Sequence, residues 1–262
     1  MCETSLRRRS FSGIAIMQTL SRSGLEKHWR ISANNFRSDY RLWIAVFWDL
    51  TAAVSEVLAM LEGKRQLAEN CSYLLFSKSL NHALAAFCLA ERGLCIDAAL
   101  ASRNAIETLL LLQVFILDSS EDLFRRWSEG EEFKPGWVRN ELKAKAPFQV
   151  RDVIVSVDEE TLELHRTIYR WLSNITHPNR DSVNLTARKA SDQSYEIFVG
   201  GSLEGMKTLM NAVFASVCQG LHHTTVICIA VFDAARLEKT GPQWSALEKR
   251  MSEVARAQST TT

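Results

Sequence analysis

Proline is scarce in this chain. Four occur in 262 residues, and none precedes Pro135. Glycine is also sparse, at 11. So few breakers argue against a many-stranded β sandwich and for long helices. No Cys-x-x-Cys pair occurs among the six cysteines at 2, 71, 88, 95, 218 and 228, which argues against a zinc ribbon or a thioredoxin-like motif. The five after Cys2 fall in apolar, helix-like runs and read as reduced, buried thiols of a cytoplasmic protein. No Gly-rich phosphate loop, Gly-x-Ser-x-Gly elbow or His-Glu-x-x-His stands in the sequence. His222 and His223 are adjacent, so on a helix they point about 100° apart and do not share a metal. The sequence therefore predicts no metal and no cofactor.

No excess of one charge marks the whole chain, which has 31 basic and 30 acidic residues. A global basic footprint for nucleic acid is absent, so any nucleic acid has to meet a local patch. The basic residues cluster at the start. Residues 1–38 hold Arg7, Arg8, Arg9, Arg22, Lys27, Arg30 and Arg37 against Glu3 and Glu26. The apolar run after Arg9 stops at Gln18 without a small-residue cleavage site, so this segment reads as a basic, partly disordered tail. No run reaches about 18 uninterrupted apolar residues. The most apolar stretch, Cys95 to Leu117, carries Asp97, Arg103, Asn104, Glu107 and Gln113. A charge at mid-span costs about 2.5–3.5 kcal/mol on the lenient insertion scale. This stretch is accordingly read as a buried helix, and the chain as one with no membrane partner.

What the chain does contain is helical periodicity. Over 39–62, Trp43, Val46, Phe47, Leu50, Val54, Val57, Leu58 and Leu61 recur at spacings of three and four. Gly63 closes that helix and Gly93 the next, over 66–92. The third, 95–117, is hydrophobic nearly all round, which predicts a central position. Asp118, Ser120 and Glu121 open a short helix over 120–130. Residues 131–157 read as a loop-rich excursion with one helix at 137–145. A helix over 158–177 follows, closed by Pro178. Residues 183–186 and 195–199 read as two small strands. A long helix over 203–238, bent near Gly220, a turn at Gly241-Pro242 and a last helix over 243–257 complete the chain. The expected fold is all-α, a helical bundle with a small β-hairpin excursion near 180–202. The expected organisation is a basic segment 1–38, one bundle domain 39–258 and a disordered tail 259–262.

One segment carries chemistry. At about 100° per residue, Arg170 and His177 lie about 20° apart on one helix face, with Ser173 and Asn174 one turn before the His. A cation, an amide and an imidazole thus line a helix that also has an apolar stripe of Leu164, Ile168, Trp171, Leu172 and Ile175.

The segment Tyr169-x-x-Leu172-Ser173-x-x-x-His177-Pro178, with Arg170 six residues before the His, resembles the HEPN superfamily of helical bundles. It is also similar to a bacterial domain family of unknown function in that group. Ser102-Arg103-Asn104-Ala105-Ile106-Glu107 matches that family's earlier helix, and the resemblance spans roughly residues 65–235. It implies a metal-independent endoribonuclease, or a toxin or defence-type effector acting on RNA. In that scheme His177 takes the proton of a 2′-hydroxyl or protonates the leaving oxygen, and Arg170 holds the scissile phosphate. It also implies a homodimer that pairs these helices; Trp171 is a candidate anchor for such an interface. Nuclease members usually place a small polar residue where Trp171 stands. The alternative is a non-catalytic helical module that binds a protein partner or a ligand, in which Arg103, Asn104, Glu107, Arg170, Ser173, Asn174 and His177 fix helix register. Either way, a carboxylate in so apolar a helix requires a partner, so Glu107 should meet Arg103, Arg170, Ser173 or His177.

Overall fold

A computed structural model describes residues 22–64, 66–118, 120–145, 148–150, 153–155, 166–167, 169–174, 187–191, 194–197 and 203–259. Helices dominate them: α1 Arg22–Asp39, α2 Arg41–Leu61, α3 Leu67–Glu91, α4 Cys95–Ile116, α5 Asp122–Ser128 and α6 Pro135–Lys145. Residues 166–167 and 169–174 are helical and are called α7 here. Then come α8, Leu203–Phe232, and α9, Ala234–Ser259. The fold is an all-α helical bundle. Two short antiparallel pairs accompany it. β1 (Phe148–Val150) pairs with β2 (Val153–Val155), and β3 (Ala187–Ser191) with β4 (Ser194–Ile197). The first pair lies where a loop was expected; its Val-Ile-Val run is β-branched, which suits a pleated strand. The strand expected at 183–186 falls outside the described residues.

The connections follow from local chemistry. At the end of α3, Gly93 has φ +77° and donates to the Ala90 carbonyl, while Leu94 donates to the Leu89 carbonyl, each at 2.9 Å. This is the Schellman closure, and its left-handed position favours glycine. Gly130 (φ +96°) closes α5 the same way through bonds to Trp127 and Arg126. At the start of α5, Asp118 Oδ2 accepts from the Leu123 amide and Ser120 Oγ from the Asp122 amide. Pro135 occupies the first position of α6, where its missing N–H costs nothing.

Two boundaries differ from the sequence reading. The long helix ends at Phe232, because Asp233 caps the next one: its Oδ1 accepts from the Arg236 amide. Gly241-Pro242 makes no turn. Pro242 sits inside α9, which runs on because tertiary contacts hold its second half: Met251 and Val254 are buried, and the Trp244 carbonyl meets His222 Nε2 at 3.1 Å. Gly220 also has a different role from the bend expected. A Cβ there would stand 2.9 Å from Leu109 Cδ1, so the glycine lets α8 approach α4 closely.

α4 is the central helix, packed on α3, α6 and α8. Its nearly all-round hydrophobicity is thereby accounted for. The core centres on an aromatic group from four helices, α1, α2, α3 and α8. Phe47 and Phe87 stack at 3.8 Å between centroids, Phe87 and Phe214 at 4.4 Å, and Phe36 and Tyr40 meet Phe214 edge-on. Cys71, Cys95, Cys218 and Cys228 are buried free thiols, whereas Cys88 is exposed.

The expectation of no membrane partner is corrected by three helices that are long and apolar enough to cross a membrane: Arg41–Leu61, Cys95–Ile116 and Met210–Phe232. Requiring an uninterrupted apolar run was too strict, because each of these tolerates polar residues within a strongly apolar window. They differ in how much the bundle covers them. Within the window, 72% is buried in each of the last two and only 33% in Arg41–Leu61. The exposed Leu42 and Trp48 lie on that least covered helix.

The first helix locks onto the α3–α4 connection. His28 and Ser32 of α1 are buried there, and a Cβ on Gly93 would stand 2.6 Å from Ser32 Oγ and 3.2 Å from His28 Nε2. We expect Gly93→Ala to lower the unfolding free energy by about 1–3 kcal/mol, from positive-φ strain and overpacking together. Adding Ser32→Ala should recover only the steric part, as read by denaturant unfolding. Burial also lowers the His28 pKa from its ordinary value of about 6.5. The unfolded chain then binds more protons than the folded one just below that value. Stability is full above the unfolded pKa and falls as pH drops through it toward the folded one. Thermal melts from about pH 7.5 to about pH 5.5 should show this loss, and His28→Gln should reduce it, leaving the part due to His82 and His222, whose pKa values burial also lowers.

Candidate functional site

The polar residues of α4 meet α7 at the surface of the bundle. Arg103 Nε donates to Glu107 Oε1 at 2.8 Å, one helical turn away. A second guanidinium nitrogen, Nη2, donates to the Tyr169 hydroxyl at 2.9 Å. The pair is largely withdrawn from water, with 19% and 25% of the two side chains exposed. Burial opposes the Arg103 charge, but the Glu107 carboxylate and Tyr169 outweigh it and raise the pKa. Glu107 thus has the partner expected for a carboxylate in an apolar helix.

Tyr169 is the hinge of the arrangement. Its ring lies under two guanidinium groups, with the Arg103 Cζ 4.6 Å and the Arg139 Cζ 4.4 Å from the centroid. Such cation–π contacts hold a planar cation over an aromatic face without using its N–H donors. Arg139 comes from α6, so three helices converge on this tyrosine. Ile106, Glu107, Leu110, Pro135, Val138, Arg139 and Tyr169 line a shallow depression between them, with room for about one water.

Arg170, the next residue along α7, is exposed. Ser173 is half-buried and Asn174 exposed, one turn further on. Trp171 packs partly against the core. Asn104 is half-buried on α4, where its carbonyl accepts from the Thr108 hydroxyl. His177 lies outside the described residues. The structure therefore brings together Arg103, Glu107 and the α7 segment that carries Arg170. Sequence reasoning missed Tyr169 and Arg139 as members of the cluster. Tyr169 was legible as the aromatic directly before Arg170. Arg139 lay in the helix expected at 137–145, but nothing in the sequence linked that helix to Tyr169. Of the other histidines, His82 is half-buried beside Lys78, and burial lowers its pKa. The His222 and His223 rings are 5.7 Å apart.

The Arg103–Glu107 pair gives an asymmetric expectation. Glu107→Ala leaves a partly buried guanidinium without its counter-ion and should cost about 1–3 kcal/mol. Replacing both residues by leucine removes the orphaned charge and should restore most of that loss in a urea melt.

Compared with protein-family models, curated proteins and solved structures, the chain gives no significant match.

Proposed function

We propose that the chain is a HEPN-like, metal-independent endoribonuclease, acting in the cytoplasm as a toxin or defence-type effector on RNA. The observation that supports this reading is a division of labour among the arginines. The Arg103 guanidinium is committed to Glu107 and Tyr169, whereas Arg170, next to Tyr169, is exposed. A paired arginine braces the helix, and an exposed one is available to a phosphate. In the proposed reaction His177 accepts the 2′-hydroxyl proton, and the oxygen attacks the adjacent phosphorus as the leaving 5′-oxygen departs and takes a proton. Arg170 stabilises the charge that builds on the phosphoryl oxygens. The short pair β3 and β4, within the range where the resemblance places a hairpin after the His-Pro step, is consistent with this reading.

The second reading is a non-catalytic interaction or ligand-binding module. What favours it is the closure of Arg103, Glu107 and Tyr169 upon one another, which is what a register-fixing cluster requires. The two readings separate on expression in cells. As a ribonuclease, the wild type degrades total RNA and slows growth, and His177→Ala does neither. As a module, wild type and His177→Ala leave RNA equally intact.

A further inference from the structure

α2 is the most apolar of the three membrane-compatible helices, with a mean hydropathy of 1.7, and the bundle buries only 33% of that window. Its uncovered face has an order of its own. Ala45, Trp48, Ala52, Ser55 and Ala59 recur at alternating spacings of three and four, so at about 100° per residue they fall within about 80° of one another. Trp48 is 57% exposed, Ala52, Ser55 and Ala59 are exposed, and Ala45 is half-buried. Along one edge, Asp49 and Glu56 are tied to Arg250 and Arg236 of α9. The strip itself carries no charge between Arg41, which opens the helix, and Glu62, which follows its last residue. Both ends continue the same spacing, and both are exposed. Each also stands at the unfavourable end of its own helix, a cation at the N-terminus and an anion at the C-terminus.

We propose that this face of α2 is an interface with a second copy of the chain, in which the two α2 helices pack antiparallel about a twofold axis beside Ala52. The charges at the helix ends select that occupant and that order. With Ala52 at the axis, Arg41 of one protomer lies against Glu62 of the partner subunit, and the twofold repeats the contact at the other end. Each charge then meets its opposite, and each helix end meets the opposite pole of the partner helix. A parallel pairing would set Arg41 on Arg41 and Glu62 on Glu62. In the antiparallel order Trp48 falls opposite Ser55 of the partner subunit and beside its Ala52, where small side chains leave room for an indole to anchor the contact. The composition of the strip favours a helix over lipid as its cover. Alanine and serine let two backbones approach closely, whereas a lipid-facing surface presents large apolar side chains. The interface lies on α2 and not on α7, and it is independent of the ribonuclease reading.

The test is sedimentation equilibrium of the full-length chain over a wide range of concentration, with helix content followed by circular dichroism. The variants are Trp48→Lys, Arg41→Glu, Glu62→Arg and the double variant Arg41→Glu/Glu62→Arg. The wild type should dimerise. Trp48→Lys should raise the dimer Kd about thirtyfold or more, the loss of a central aromatic anchor. Arg41→Glu and Glu62→Arg should each raise it about tenfold, since each sets like charges together at both ends of the interface. The double variant should regain the wild-type Kd, a rescue that only an Arg41–Glu62 contact between protomers provides, and helix content should be unchanged throughout. A wild type that is monomeric at every concentration overturns the proposal, as does a dimer that Trp48→Lys and both charge reversals leave intact. Single variants that weaken the dimer without rescue in the double variant overturn the antiparallel order. If the wild type stays monomeric and floats with phosphatidylcholine vesicles, and Trp48→Lys abolishes flotation, the face binds lipid and the proposal fails. A wild type that dimerises through α2 but cuts no RNA leaves this proposal standing and removes the ribonuclease reading.

Discussion

Phe214→Ala will be the most destabilising single substitution in this chain. Phe214 is fully buried on α8 and meets three other aromatic rings. It stacks on Phe87 of α3 at 4.4 Å and receives the edges of Phe36 of α1 and Tyr40, which lies just ahead of α2. Phe87 in turn stacks on Phe47 of α2. Truncation therefore opens a cavity where four helices meet, at a cost of about 3–5 kcal/mol. The ring–ring geometry adds about 0.5–1.5 kcal/mol for each pair lost. For a chain of this size the melting temperature should fall by about 10 °C or more. The matched control is Leu74→Ala on α3, where the side chain is 56% exposed and the change should stay within about 0.5 kcal/mol. Similar losses for the two variants in calorimetry would show that the aromatic group does not centre the core.

Most of the bundle was legible because its signals are local. The apolar spacing on α2 named Trp43, Val46, Phe47, Leu50, Val54, Val57, Leu58 and Leu61; seven are buried and Leu58 is half-buried against the core. The glycines that close α2 and α3 at 63 and 93 both adopt positive φ, and only a left-handed terminus asks for that. What failed was context. Pro242 is a turn signal by itself, and it lies in a helix because Trp244, Met251 and Val254 hold the chain against the bundle. Gly220 signals a bend in isolation, and the reason for it is Leu109, 111 residues away in sequence. Membrane-compatible apolarity was missed because a search for uninterrupted runs ignores how few charges a helix needs to lose before it qualifies. In the polar cluster, the i,i+4 spacing of Arg103 and Glu107 foretold their ion pair. Nothing local linked Arg139 to Tyr169; that contact exists only once α6 and α7 dock.

The second large effect concerns Arg170 and His177, and it bears on the central claim, that the α7 face acts on an RNA phosphate. His177 would supply general acid–base catalysis, whose loss costs about 10²–10⁴ in rate. Arg170 would stabilise the phosphoryl charge, and removing one such donor costs about 10²–10³. Neither loss should reach the core. Arg170 is exposed, and the brace that holds its helix is Arg103 with Glu107 and Tyr169, which the substitution leaves in place. The measurement is single-turnover cleavage of a labelled single-stranded RNA by the purified full-length chain, without added metal, for wild type, Arg170→Ala and His177→Ala, with thermal melts of each. The expected result is cleavage by the wild type, at least a hundredfold loss in both variants, and melting temperatures within about 2 °C of wild type. The contradicting result is no cleavage by the wild type together with a sharp fall in melting temperature for either variant, which would make the cluster structural.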